Sequence, residues 1–176
     1  MTENVILVDE NDVELGVAEK MEAHLTGALH RAVSVFIFNG NGELLLQRRA
    51  QGKYHSPGKW SNTCCTHPRL GELTLDAARR RLKEEMGIDS ELTSVGTILY
   101  RADFENGLVE HELDHLFFGF NDHTPSINQE EVDSYRYIDL DELKIETTTY
   151  PERFTPWLNL CLRQIDLKAK SNESDN

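Results

Sequence analysis

The stretch Thr74-Leu75-Asp76-Ala77-Ala78-Arg79-Arg80-Arg81-Leu82-Lys83-Glu84-Glu85-Met86-Gly87 decides how the rest of the chain is read. Leu75, Ala78, Leu82 and Met86 are spaced three, four and four apart, which on a helix makes one apolar stripe. Thr74 is an N-cap residue type, and Gly87 can take the left-handed conformation that ends a helix. The spacing therefore predicts a helix over Thr74–Met86. Arg81 and Glu85 share one of its faces, and as an exposed pair they would be worth only a fraction of a kcal/mol.

Just upstream, Trp60-Ser61-Asn62-Thr63-Cys64-Cys65-Thr66-His67-Pro68 is short, β-prone and framed by Pro57-Gly58 and Pro68. In extended backbone residues i and i+2 share a face, so Cys65 and His67 look one way and Cys64 the other. Further back, Val33–Phe38 and Glu43–Arg49 flank the turn Asn39-Gly40-Asn41-Gly42 and predict a hairpin. It delivers Arg48-Arg49, with Lys53 close behind, into a loop. That loop is either a solvated basic segment or a dock for phosphate oxygens. Val5–Val8 and Val13–Val17 predict an earlier hairpin. His24 and His30 then lie on either side of a break at Thr26-Gly27, and a lone pair of histidines is more often surface or core than metal-binding.

Downstream, Leu92–Arg101 and Gly107–Phe118 read as strands. Extended geometry in the second puts Glu110, Glu112 and Asp114 on one face, with His111 and His115 on the other. Carboxylates facing one way repel unless a cation or a proton intervenes, although a solvated edge strand could tolerate them. Tyr135–Ile138 is a last short strand, Asp139–Leu143 a helical turn, and a final helix is expected from near Pro156 to Lys170. Residues 1–170 read as one domain, and residues 171–176 as a disordered tail.

Composition narrows the function classes. A chain of 176 residues with 39% hydrophobic and 28% charged residues suits one soluble globular domain. A formal charge of −13 argues against a nucleic-acid partner, but an anionic small molecule fits wherever Lys and Arg are gathered locally. Three cysteines without framework spacing, a polar N-terminus and no long apolar run predict a reduced, cytoplasmic protein without a membrane partner.

Strands around a helix ending Lys83-Glu84-Glu85-Met86-Gly87-Ile88 resemble the Nudix fold. The resemblance implies an α+β architecture, with mixed β-sheets flanked by helices in a single compact domain. Gly71 and the run Arg80-Arg81-Leu82-Lys83-Glu84-Glu85-Met86-Gly87 match that family's box in register. Ala77 and Arg81, however, stand where the hydrolase pattern has metal-holding glutamates, which weakens a reading as a diphosphate hydrolase.

Within the superfamily, the chain resembles the type I isopentenyl-diphosphate Δ-isomerases over nearly its whole length. The matching residues are Glu19-Lys20 through His24, His30, Arg48-Arg49-Ala50 with Lys53, Pro57-Gly58-Lys59-Trp60 and Asn62. They continue with Cys65-Thr66-His67-Pro68, Gly71-Glu72, Glu84-Glu85-Met86-Gly87, Tyr100-Arg101-Ala102, Glu110-His111-Glu112 and Pro156-Trp157. The resemblance implies that His24, His30, His67, Glu110 and Glu112 hold one divalent ion, Mn²⁺ first, with Mg²⁺ or Zn²⁺ as alternatives. It implies that Glu85 helps hold a Mg²⁺ bound to the substrate diphosphate, and that Lys20, Arg49, Lys53 and Arg81 neutralise that diphosphate.

The reaction implied moves a double bond by one position, from isopentenyl to dimethylallyl diphosphate, through a tertiary carbocation. On this reading Glu112, near Tyr100, protonates the alkene, and Cys65 as thiolate removes a proton. Trp157 stabilises the cation through its π face. A third reading, a binding module with a structural metal, leaves the basic cluster and Tyr100 without a task.

Overall fold

The structure is a computed structural model that describes the backbone of residues 3–174 and the side chains of residues 3–165. Strand β1 (Asn4–Val8) pairs antiparallel with β2 (Glu14–Glu19), forming the N-terminal hairpin expected from sequence. Helix α1 (Lys20–Thr26) then ends at Gly27 and hands the chain to β3 (His30–Phe38). The expected hairpin between β3 and β4 (Leu44–Arg49) is only a corner, because the two strands pair at the single position Phe38↔Leu44. A turn signal fixes reversal of the chain but not which neighbours the strands then choose.

Those neighbours set the architecture. β3 runs parallel to β8 (Val109–Phe120) over His30↔Glu112 to Phe38↔Phe120, and antiparallel to β6 (Cys64–Thr66) on its other side. β4 pairs with β5 (Trp60–Ser61) and with β9 (Val132–Ile138). β8 also pairs with β7 (Thr93–Asp103), so it is an interior strand rather than the solvated edge its acidic residues could have marked.

The strand period of two sorts β3 between two cores. Val33, Val35 and Ile37 face α2 (Thr74–Met86), packing with Cys64, Ala77, Ala78, Leu82 and Met86. Phe36 and Phe38 face the opposite layer. There they meet Leu143 of α3 (Leu140–Thr149) and Trp157, Leu158, Cys161 and Leu162 of α4 (Pro156–Ser174). A mixed sheet is thus covered on both sides, as the fold class required.

Helix α2 has the predicted span, with one correction: Leu73 is its N-cap and Thr74 its first residue, with no side-chain capping bond. Gly87 closes it with φ 65°, and a Cβ there would come within 2.7 Å of the Ser126 carbonyl oxygen. Helix α4 continues to Ser174, four residues into the segment expected to be a disordered tail, and Asp175 and Asn176 lie outside the described residues. No helix among the described residues is long and apolar enough to cross a membrane.

Candidate active site

A cavity of about 750 Å³ opens between the C-terminal half of α2, the ends of β4 and β8, and the start of α4. Glu110 and Glu112 arrive on the inward face of β8 and are 4% and 5% exposed. Register Tyr100↔Glu112 on β7 sets a phenol over them. Its hydroxyl donates to Glu112 Oε2 at 2.5 Å and also lies 3.1 Å from Glu110 Oε2.

Behind the carboxylates stand the histidines. His24 and His30 each turn Nδ1 to a backbone carbonyl, of Lys20 at 2.7 Å and of Ala28 at 2.8 Å. Those bonds place the proton on Nδ1 and leave Nε2 with a free lone pair. Both Nε2 atoms are buried without a hydrogen-bond partner, although His30 Nε2 lies 3.4 Å from Glu112 Oε1. His67 Nε2 lies 3.0 Å from the same oxygen. His24, His30, His67 and Glu112 thereby offer one donor atom each, all within 4.8 Å of one another. Orphaned buried imidazole nitrogens converging with a carboxylate are a donor set for a divalent metal ion. Of the five ligands expected from sequence, Glu110 stands apart in a second group with His24 and His55.

His55 carried no signal in the sequence. It sits in a loop, stacks on Phe104 with ring centroids 4.8 Å apart, and brings Nε2 to 2.8 Å from Glu110 Oε1.

On the α4 side, Cys65 reaches into the cavity while Cys64 is buried in the α2 core, as strand alternation required. β6 and β8 flank β3, so Cys65 and Glu112 sit two strands apart. Asn62 organises this wall. Its Nδ2 donates to the carbonyls of Val35 and Cys64, so Oδ1 must face the cavity. There it accepts from Ser61 Oγ at 2.9 Å, Cys65 Sγ at 3.2 Å and Trp157 Nε1 at 3.1 Å. The Trp157 ring lies under the Arg49 guanidinium at 5.6 Å.

The protonation pattern differs from the expected thiolate. Burial, with the charge of Asp114, pushes the Cys65 thiol up to about 12 against its hydrogen bonds with Ser34 and Asn62. Burial also opposes ionisation of Glu112, but the adjacent imidazoles of His30 and His67 outweigh it and hold that carboxyl well below its usual range. These shifts put the proton of the pair on Cys65. Asp114, in phase with Glu110 and Glu112, is raised by burial and by their charges while Ser34 Oγ donates to its Oδ2 at 2.7 Å.

Cationic residues also line the cavity. Arg49 donates to the His55 carbonyl at 3.1 Å, and Lys20 pairs with Glu3 while its ammonium stands 4.6 Å over the Tyr54 ring. Arg81 contacts Glu85 at 2.7 Å and Glu131 at 2.8 Å, and Lys53 also pairs with Glu131. Glu85 is 3% exposed and accepts from Gln47 Nε2 at 2.6 Å, so its pair with Arg81 is not the surface bridge that spacing alone allowed. Burial pushes the Glu85 carboxyl up, against the pull of Arg81 and Lys53. Gln47 and Glu131 were not legible as site residues in the sequence.

A central mixed sheet between helices, with a helix rim of charged residues and a buried His/Glu cluster, defines a Nudix-fold protein with a candidate metal site. The NUDIX domain matches residues 28–158. A protein of Deinococcus radiodurans superposes with a TM-score of 0.76 at 19% identity, covering 92% of this chain and 98% of its own. The MutT protein of Methanosarcina mazei gives a TM-score of 0.68 at 19% identity, covering 81% and 96%. At such identities these likenesses concern the fold alone.

Sequence relatives are more specific. The isopentenyl-diphosphate Delta-isomerase 2 of Aromatoleum aromaticum is 53% identical over 94% of this chain and 87% of its own. The isopentenyl-diphosphate Delta-isomerase of Pectobacterium atrosepticum is 55% identical over 92% and 90%. The chain belongs to the isopentenyl-diphosphate Delta-isomerase family.

Proposed function

We propose that the protein interconverts isopentenyl and dimethylallyl diphosphate, moving the double bond by protonation and deprotonation through a tertiary carbocation, as a step of isoprenoid biosynthesis. The observation that carries the reading is one cavity holding two kinds of wall. Cys65, Glu112, Tyr100 and Trp157 line it, and so do the cations Lys53, Arg81 and Arg49, the last of these over the Trp157 ring. An allylic proton shift needs one group that gives a proton and another that takes one, in a site that excludes water from the cation. Cys65 and Glu112 form that pair, with Tyr100 holding Glu112. Their roles exchange between the two directions of the reaction, and the electrostatics of the site favour the state with Cys65 protonated and Glu112 ionised.

The Trp157 indole, fixed through Asn62, presents an electron-rich face to the cationic intermediate. Arg49, Lys20, Lys53 and Arg81 anchor the diphosphate, which stays intact.

His24, His30, His67 and Glu112, with Glu110 beside them, would hold a divalent ion, Mn²⁺ first and Mg²⁺ or Zn²⁺ as alternatives. Glu85 would help hold a Mg²⁺ carried in with the diphosphate. When bound, such ions supply positive charge that fixes the acidic residues and the diphosphate in place.

The hydrolase reading is disfavoured by the same helix. Ala77 is fully buried in the α2 core, and Arg81 fills the next expected glutamate position with a cation. Residues 1–170 act as one unit in this proposal. The three cysteines are free, which suits a reducing cytoplasmic setting. The test is incubation of the purified protein with isopentenyl diphosphate and Mg²⁺ or Mn²⁺. Formation of the dimethylallyl isomer without phosphate release is expected, and phosphate release without isomer would refute the proposal.

A further inference from the structure

The anion-binding end of the cavity is not a free basic pocket. Two cations, Lys53 and Arg81, face three carboxylates: Glu84 at 3.2 Å and Glu85 at 2.7 Å from Arg81, and Glu131, which contacts both cations. Glu85 is committed to Gln47 as well, at 2.6 Å, inside the protein. Glu131 differs. Its side chain is 26% exposed and, among the described residues, pairs with the two cations alone. Its backbone, by contrast, is fixed at both ends: its carbonyl accepts from the Ala50 N–H at 3.1 Å, and its N–H donates to the Asn128 carbonyl at 3.0 Å. The neighbouring Asn128 N–H is tied in turn to the Glu85 carbonyl at 2.9 Å. A pinned backbone with a partly solvated carboxylate lets the side chain swing toward solvent without moving the loop.

We infer that Glu131 is an internal stand-in for the substrate's phosphate, holding Lys53 and Arg81 in position and giving them up when a diphosphate enters. This rests on the reading of Lys53 and Arg81 as the diphosphate dock. Its physical basis is like-charge exclusion: a carboxylate already shared by both cations screens them from an incoming anion, so part of the binding free energy is spent displacing it. The arrangement keeps the two long cationic side chains ordered before the substrate arrives. It also disfavours weakly charged anions, which cannot outcompete the carboxylate for both cations at once.

The test is calorimetric titration with inorganic pyrophosphate in EDTA, which measures the cationic dock alone. Glu131→Gln keeps the shape and removes the charge. Its affinity for pyrophosphate should rise by roughly threefold to fivefold, the scale of one solvent-accessible ion pair. Glu131→Asp, which keeps the charge on a shorter stem, should fall between it and the parent. The gain must disappear when Glu131→Gln is combined with Lys53→Ala or Arg81→Ala. Unchanged or weaker binding by Glu131→Gln, with Lys53→Ala and Arg81→Ala each weakening the parent, would overturn the stand-in role and leave the dock intact. If neither Lys53→Ala nor Arg81→Ala alters binding to the parent, the dock itself is wrong and the inference falls with it. Circular dichroism of each variant separates these outcomes from unfolding.

Discussion

Adjacent cysteines with opposite surroundings allow turnover and stability to be separated within one dipeptide. Cys64 is 1% exposed and packed among Val33, Val35, Ala77 and Leu82 in an apolar core. Cys64→Ser places a hydroxyl there in place of a weakly polar thiol, and an unpartnered buried hydroxyl costs about 1–3 kcal/mol. For a domain of this size each kcal/mol lowers Tm by roughly 2–4 °C, so a fall of about 5 °C is expected. Cys65 instead already meets polar atoms, Asn62 Oδ1 at 3.2 Å and Ser34 Oγ at 3.4 Å, and a serine hydroxyl can satisfy the same partners. Cys65→Ser should therefore leave Tm nearly unchanged.

Turnover should respond in the opposite order. A serine hydroxyl neither gives nor takes a proton as a thiol does, and loss of a positioned proton-transfer group typically costs about 10²–10⁴-fold in rate. At about 1.36 kcal/mol per factor of ten, that is roughly 3–5 kcal/mol of barrier. Cys64→Ser should keep turnover within a few-fold of the parent at a temperature where it remains folded. The assay is the initial rate of dimethylallyl diphosphate formation beside a thermal melt of each variant. Equal losses of rate in both variants, or a stable Cys64→Ser beside a destabilised Cys65→Ser, would show that the strand register, and the role drawn from it, is wrong.

Three further outcomes follow from the geometry. Ala77→Glu must bury a charge at a fully buried site. It should destabilise by about 3 kcal/mol or more in urea unfolding, with no phosphate released from diphosphate substrates. Asp114 has a carboxyl raised well above its usual range, first by burial and then by the charges of Glu112 and Glu110. Above about pH 3.9 the unfolded chain loses this proton while the folded one keeps it, so folding stability falls as pH rises toward the folded value. Asp114→Asn should match the parent below that pH and become progressively more stable than it above, as read from urea midpoints; a constant offset at all pH values would contradict this. Finally, Mn²⁺ at a hundred times its dissociation constant should stabilise the chelator-treated protein by about 2.7 kcal/mol. His24→Ala, which removes a buried lone-pair donor, should weaken binding so that the Tm gain at fixed Mn²⁺ shrinks.

Much of this protein is local. The α2 span, the two faces of the Cys64-Cys65 pair and the shared face of Glu110, Glu112 and Asp114 follow from the helical and strand periods, which act within one segment. Whether a face is buried is not local. Glu110 and Glu112 could have belonged to a wet edge until β3 and β7 were found on either side of β8. Likewise, the Arg81–Glu85 spacing is the same in an exposed bridge and in the buried one that Gln47 completes. The loop residues His55 and Glu131 have no period to betray them, and only the folding of their loops over the cavity makes them neighbours of the site.

By itself, then, the sequence determined the elements, the side from which each functional group projects, and, through its resemblance, the family. The tertiary structure decided which of those sides meet. It alone joined β3 to β8 in parallel, aimed Asn62 at the Cys65 thiol, left the Nε2 atoms of His24 and His30 unpartnered, and set Glu131 between Lys53 and Arg81. The reason is one of range: dihedral preference and side-chain period act over a few residues, whereas burial, charge and proton affinity are set by atoms brought together from strands far apart in the chain.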